Sequence, residues 1–198
     1  MTSPTTDASP PAVTPRFPAD WAEQFVDREY GVPARALPFG GYEDQNFEIT
    51  GANGDRYVLK VTADPNAVSA LDAQNRAMHH LVSVGLRQGL GVPSPVATLG
   101  GTEIARVVSE GRPIAARLLS FVPGVQLRDI GYLSPELLRE LGGLAASIVA
   151  GLGSMSDAPA PVSAWDLRDA TERIAARLPF VADKRRRELA ARTAAAAE

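Results

Sequence analysis

A chain of 198 residues, 45% of them apolar, has material for one sizeable domain or for a small lobe plus part of a second. Its net charge of -3 gives no electrostatic reason to expect nucleic acid or an anionic membrane as partner, and no apolar stretch approaches membrane-spanning length. It contains no cysteine, which excludes disulfides and thiolate metal sites and fits a reducing cytoplasm.

The first segment, 1–16 (MTSPTTDASPPAVTPR), is rich in Pro, Ser and Thr. It has too little apolar surface to offset its ordering entropy, so a disordered tail is expected. Next, FPADWAEQFVDREYG places Trp21, Phe25 and Val26 on one side of a short helix, and Gly31 supplies a left-handed stop. From Ala34 to about Val122 the pattern is strand-rich with one long helix. Phe47, Ile49, Tyr57, Leu59 and Val61 recur at the period of a half-buried sheet, and Asn53-Gly54 predicts a two-residue hairpin turn between them. Tyr57, Leu59 and Val61 share one face of the third strand. Val58 and Lys60 share the other, toward the Gly40-Gly41 loop. Polyphosphates need such an arrangement: a flap whose backbone N–H groups approach closely, and a fixed cation beneath.

Asp64-Pro65 announces a helix with Asp as N-cap and Pro at its first position. Val68, Leu71, Met78 and Val82 form its apolar stripe, Asn75 interrupts it, and Gln74 on its edge looks toward the sheet that carries Lys60. Residues 85–95 read as a loop. Strands over Glu103–Val108 and Pro113–Val122 follow, with a turn at Glu110-Gly111, and Pro123-Gly124 forms a hinge. Ser134-Pro135-Glu136 opens a helix reaching Leu152. A Pro-rich linker (SDAPAPVSAWD) precedes a last helix, Leu167 to about Leu178, in which Trp165 is a packing anchor and Asp166 an N-cap. The charged tail holds a solvated face, Lys184–Arg187, and a fraying end, Thr193–Glu198. His79 and His80 point about 100° apart on their helix, poor geometry for shared metal chelation, and read as a surface residue and a core neighbour.

Five antiparallel strands with a helix after the third, leading by a short connector into helices, give an α+β layout like a protein-kinase-like small lobe. With PFGGYEDQNFEI, YVLKV, LDAQNRAMHHL, LLSFVPG, LRELGGLAASI and AWDLRD in this order, the chain resembles the aminoglycoside phosphotransferase and choline kinase superfamily. Its hydroxylysine-kinase-like branch is the nearest in pattern. The resemblance runs from about Trp21 to Leu178. After the tail over 1–16, it implies a nucleotide-binding N-lobe over 17–122, a hinge over 123–133 and the start of a helical C-lobe over 134–198. It also implies ATP or GTP with magnesium. Gly40, Gly41 and Tyr42 would cover the triphosphate, Lys60 would hold its α- and β-phosphates, and the backbone of Ser120, Phe121 and Val122 would meet the base. Leu37, Val58, Val96 and Leu119 would wall the base.

Two departures accompany the resemblance. Kinase-like folds anchor the strand lysine with a helix glutamate, whereas that position here falls on Gln74, which accepts a hydrogen bond but carries no charge. The second lobe of the superfamily carries a His-x-Asp loop ending in Asn and a magnesium-binding Asp. Here the histidines are His79 and His80, and none of Asp157, Asp166, Asp169 or Asp183 sits in such a motif. The expectation is part of a longer protein, one that in some relatives continues into a class III aminotransferase domain. Three functions stay open. One is the nucleotide-binding part of a kinase that phosphorylates a hydroxyl on a small amine or amino acid. The others are a non-catalytic nucleotide-sensing or docking domain, and an unrelated α+β interaction module.

Overall fold

The computed structural model describes residues 16–41, 44–62, 67–85, 91–109, 111–155 and 170–196, which fall into two compact units, 16–155 and 170–196. In the larger unit, period-two alternation builds one antiparallel sheet. Its strands are β1 (Ala34–Phe39), β2 (Gln45–Gly51), β3 (Arg56–Thr62), β4 (Pro95–Val96), β5 (Ala105–Ser109) and β6 (Arg112–Ser120). The order is β1-β2-β3-β6-β4, with β5 also paired to β6. The sheet has six strands rather than five, because Pro95, at the end of the expected loop, and Val96 after it pair with Leu119 and Leu118.

The two faces have different tasks. Phe47, Ile49, Leu59, Val61 and Leu118 are fully buried on the first, under helix α1 (Ala19–Tyr30). Phe25 and Val26 come from α1 into this core, and Trp21 stacks between Phe17 and Phe25 at centroid distances of 4.0 and 4.9 Å. Polar contacts fasten the layer: the N–H of Ala36 on the outer strand donates to Glu23 Oε1 of α1, and Trp21 Nε1 donates to Ser109 Oγ. Gly31 closes α1 at φ 66°, as its place after the last apolar turn predicts.

Asn53-Gly54 does lie at the β2–β3 turn, but the loop is one residue longer than expected. Gly51 N–H donates to Asp55 O, and Gly54, at φ 87°, donates to Gly51 O. Three residues, Ala52 to Gly54, therefore connect the strands, the form in which only the last needs a left-handed backbone.

Helix α2 (Ala67–Val84) covers part of the second sheet face. Leu71, Ala73, Asn75 and Leu81 are its buried residues, while Val82, expected in the stripe, is exposed in the last turn. Asn75 does not merely interrupt the stripe; it is 2% exposed and hydrogen-bonded to the sheet. Helix α3 (Pro135–Gly153) starts as the Ser-Pro-Glu signal predicts, with Ser134 Oγ accepting from Leu137 N–H. His80 of α2 reaches Gly151 O and Ser154 Oγ at the far end of α3, so this histidine ties helix to helix.

In the smaller unit, α4 (Ala170–Arg177) is followed by α5 (Lys184–Ala195). The charged tail is thus a capped helix: Asp183 accepts from Arg186 N–H at 2.8 Å, an N-cap signal that the charge run obscured. The N-terminal tail up to Pro15, Tyr42, the Asp64-Pro65 cap, Trp165 and Asp166 lie outside the described residues.

Candidate functional site

Strand register assembles the site. Asn46 of β2 lies opposite Lys60 of β3, and Lys60 lies opposite Arg117 of β6. Directly opposed residues in antiparallel strands project on the same side, so the three form a polar row across the face away from α1. The adjacent row on that face is Leu37, Glu48, Val58, Leu119 and Pro95. Three of the four apolar walls expected from the sequence are therefore on the Lys60 side. Val96 is the exception: it stands opposite Leu118 and packs on the α1-side core, and Pro95 takes its place.

Lys60 Nζ is held from β2. It donates to Asn46 Oδ1 at 3.1 Å and lies 3.1 Å from Asp44 Oδ2. Asn46 Nδ2 in turn donates to Gly40 O, which fastens the glycine loop to the row. Gly41 is required by space. A Cβ there would collide with the Asp44 carbonyl and the Asn46 side-chain amide.

Gln74 meets a different partner from the one expected. Its Oε1 accepts from Arg117 Nη2, while Asn75 Oδ1 accepts from Arg117 Nη1 at 2.8 Å and Leu71 O accepts from the same nitrogen at 3.3 Å. Helix α2 is thus anchored to the sheet through Arg117 and not through Lys60. A neutral Gln suits this contact, because a guanidinium offers several donors in a fixed fork and a side-chain carbonyl accepts from it well. Arg117 is only 3% exposed, and its Nε has no hydrogen-bond partner. Burial pushes its pKa down, and the Asp44 carboxylate pulls it back up. From Arg117 the network runs outward: Asn75 Nδ2 donates to Glu103 Oε2 at 3.2 Å, and Glu103 Oε1 lies 2.6 Å from His79 Nε2. His79 is the surface member of the histidine pair, as expected, but its ring nitrogen is engaged by Glu103 rather than idle.

The hinge residues are clamped. Ser120 N–H donates to Ser94 O, Ser94 N–H donates to Ser120 Oγ, and Phe121 N–H donates to Arg56 O. The Arg56 guanidinium lies 3.7 Å over the Phe121 ring while bonding Glu48 Oε1. Two hinge amides are therefore used within the chain, and Val122, 39% exposed, follows them.

Arg117, Asp44 and the bonding role of Asn46 escaped the sequence reading. The signal was present: PIAARLLSF places one cation in an apolar run, as YVLKV does for Lys60, and Asp44, Asn46 and Glu48 alternate at the period of one face. Among the described residues no group of three or more His, Asp or Glu side chains is arranged to hold a metal ion.

Comparison with known proteins gives a family and a fold. The model of the "Phosphotransferase enzyme family" matches residues 34–198. Hydroxylysine kinase of Danio rerio is 31% identical over 108 residues, covering 53% of this chain and 30% of that protein. Among solved structures, a microcompartment-associated aminopropanol kinase superposes with TM-score 0.58 at 15% identity, covering 81% of this chain and 55% of that one. Amicoumacin kinase hAmiN, in complex with AMP-PNP, Ca2+ and Ami, superposes with TM-score 0.53 at 17% identity, covering 68% of this chain and 40% of that one. The chain spans less than a third of the length of its curated relative.

Proposed function

Because the chain belongs to the phosphotransferase enzyme family, we propose that residues 17–122 form the nucleotide-binding lobe of a cytoplasmic small-molecule kinase. Residues 123–133 are its hinge, and 134–198 begin a helical lobe. The phosphoryl acceptor is a hydroxyl on a small amine or amino acid, in keeping with the relatives named for hydroxylysine and aminopropanol. The observation that carries this reading is Lys60 in its row, beneath a loop whose Gly41 leaves no room for a side chain. Backbone N–H groups at Gly40 and Gly41 then approach the phosphates closely while the ammonium balances their charge.

The residues fit a triphosphate. A loop that excludes a Cβ, a half-buried lysine and a buried guanidinium with a free Nε–H are what a polyanion requires. ATP or GTP accompanied by a divalent ion is the ligand, and the AMP-PNP and Ca2+ of the hAmiN complex agree with that chemistry. The metal's protein ligands and the residue that orients the acceptor belong to sequence outside this chain, as the missing His-x-Asp pattern implies. Leu37, Val58, Leu119 and Pro95 wall the base, and the backbone from Val122 onward meets its edge. Were those outside residues lacking in the parent protein, the same lobe would serve as a nucleotide-sensing or docking domain.

The test is a calorimetric titration with Mg-ATP and Mg-GTP beside a Lys60→Ala variant. Saturable binding that falls about tenfold or more in the variant is expected, since a charge-assisted contact is worth about 1.5–3 kcal/mol. Equal binding by both proteins would refute the assignment of Lys60.

A further inference from the structure

Resting on the nucleotide reading, one feature of the row goes further. Lys60 takes its counterion from the residue just ahead of β2 and none from α2. Asp44 and Lys60 are about a quarter exposed, so their pair is neither sealed in the core nor fully hydrated. Arg117, one strand away, is buried with no carboxylate bonded to it: its three acceptors are the neutral oxygens of Leu71, Gln74 and Asn75. A guanidinium taken from water and given only neutral partners keeps an uncompensated charge, at considerable desolvation cost. Its Nε–H, buried as well, has no hydrogen-bond partner among the described residues. Among the described residues, the Asp44 carboxylate thus acts on both of these neighbouring cations.

We propose that the Asp44 carboxylate is an internal counterion that a nucleotide's phosphate oxygens displace from Lys60, and that Arg117 is the buried second cation stabilising the same anion. Binding is then an exchange of one anion for another on a preformed pair of positive charges. Rotation of the Asp44 side chain is enough to vacate the ammonium. Asn46 remains in place as a neutral partner and keeps Lys60 aimed. Arg117 acts as a positioning residue on the sheet side: it fixes α2 with its two Nη atoms and contributes field to the phosphate place.

The experiment measures binding of Mg-ATP, inorganic tripolyphosphate and adenosine to the chain and to Asp44→Asn, Arg117→Lys and Arg117→Met, with circular dichroism to establish folding. Removing the internal competitor in Asp44→Asn should tighten Mg-ATP and tripolyphosphate by about fivefold, the scale of a partly exposed ion pair, and leave adenosine unchanged. Arg117→Met should weaken the two anions by about tenfold and spare adenosine, with Arg117→Lys recovering part of the loss. Should Arg117→Met not fold, Asp44→Asn and Arg117→Lys decide the matter. The exchange is overturned if Asp44→Asn binds the anions no more tightly than the unaltered chain. The role of Arg117 is overturned if a folded Arg117 variant binds them as well as the unaltered chain does. Adenosine binding without any gain from phosphates would end the exchange while keeping a base site. Failure of both the unaltered chain and Asp44→Asn to bind any of the three probes would end the nucleotide reading too.

Discussion

Gly41 shows how little tolerance the loop has. A single added methyl group would meet a backbone carbonyl and the amide that holds Lys60. Neither can retreat without breaking the Asn46–Lys60 bond or the Asn46–Gly40 bond. Gly41→Ala is therefore expected to cost about 1–3 kcal/mol of stability, as overpacking does, and to weaken nucleotide binding together with it. Thermal unfolding and a Mg-ATP titration on the same sample check both, and a variant that melts and binds as the parent does would refute the steric argument. The sequence made Lys60 legible because a lone cation among apolar residues at period two has to face something other than the core. Arg117 obeys the same logic in PIAARLLS. What hid it was β6 itself, in which residues 114 to 119 are all buried, so that no alternation singled out a second face. Gln74 was rightly aimed at the sheet, yet its partner depends on which strand lies beneath the helix. Order along the chain does not tell that β6 is inserted beside β3.

The elements that position the site rest on α1 and the core it closes. Phe25 is 1% exposed, shares the buried core with Phe47, Ile49 and Leu59, and packs its ring against Trp21 and Tyr30. Phe25→Ala should cost about 3–5 kcal/mol, a large part of the stability of a small domain, measured by urea unfolding. A loss below about 1 kcal/mol would mean that α1 is not integral to the lobe. Tyr30 at the end of α1 gives an alkaline signature. Burial pushes its phenol above the ordinary value of 10.0. The folded pKa then exceeds the unfolded one, so the protonated phenol's contribution is complete below pH 10 and is lost as pH rises beyond it. Melting temperature should fall above pH 10, less steeply in Tyr30→Phe; equal slopes would refute the assignment. These elements were readable from periodicity and from Gly31. The two-residue strand β4 was not, because Pro95 and Val96 carry no pattern of their own and exist as a strand only through their pairing with β6.

Across the larger unit, the N-terminal sheet buries its core fully, whereas α3 has no buried residue despite its leucines. Its described contact within the unit is with α2, through His80. His80→Ala should leave the sheet intact and loosen the carboxyl end of α3, seen as faster amide hydrogen exchange over residues 147–153 with unchanged protection in β2 and β3. Equal exchange throughout would show the bridge to be idle. The family was legible because its motifs occur in order, and the match over residues 34–198 agrees. The acceptor class proposed above was not, since no residue among those described is set by the sequence or the fold to face one.

The grip on α2 has a mechanical consequence. Asn75 is held by the sheet and His80 by α3. Five residues apart on a helix, these points lie about 7.5 Å apart along the axis and about 140° apart around it. Opposed grips offset along a rod form a couple: load on one is felt as torque at the other. Any force that shifts α3 therefore reaches Arg117 as a twist of α2, without passing through Gly40 and Gly41.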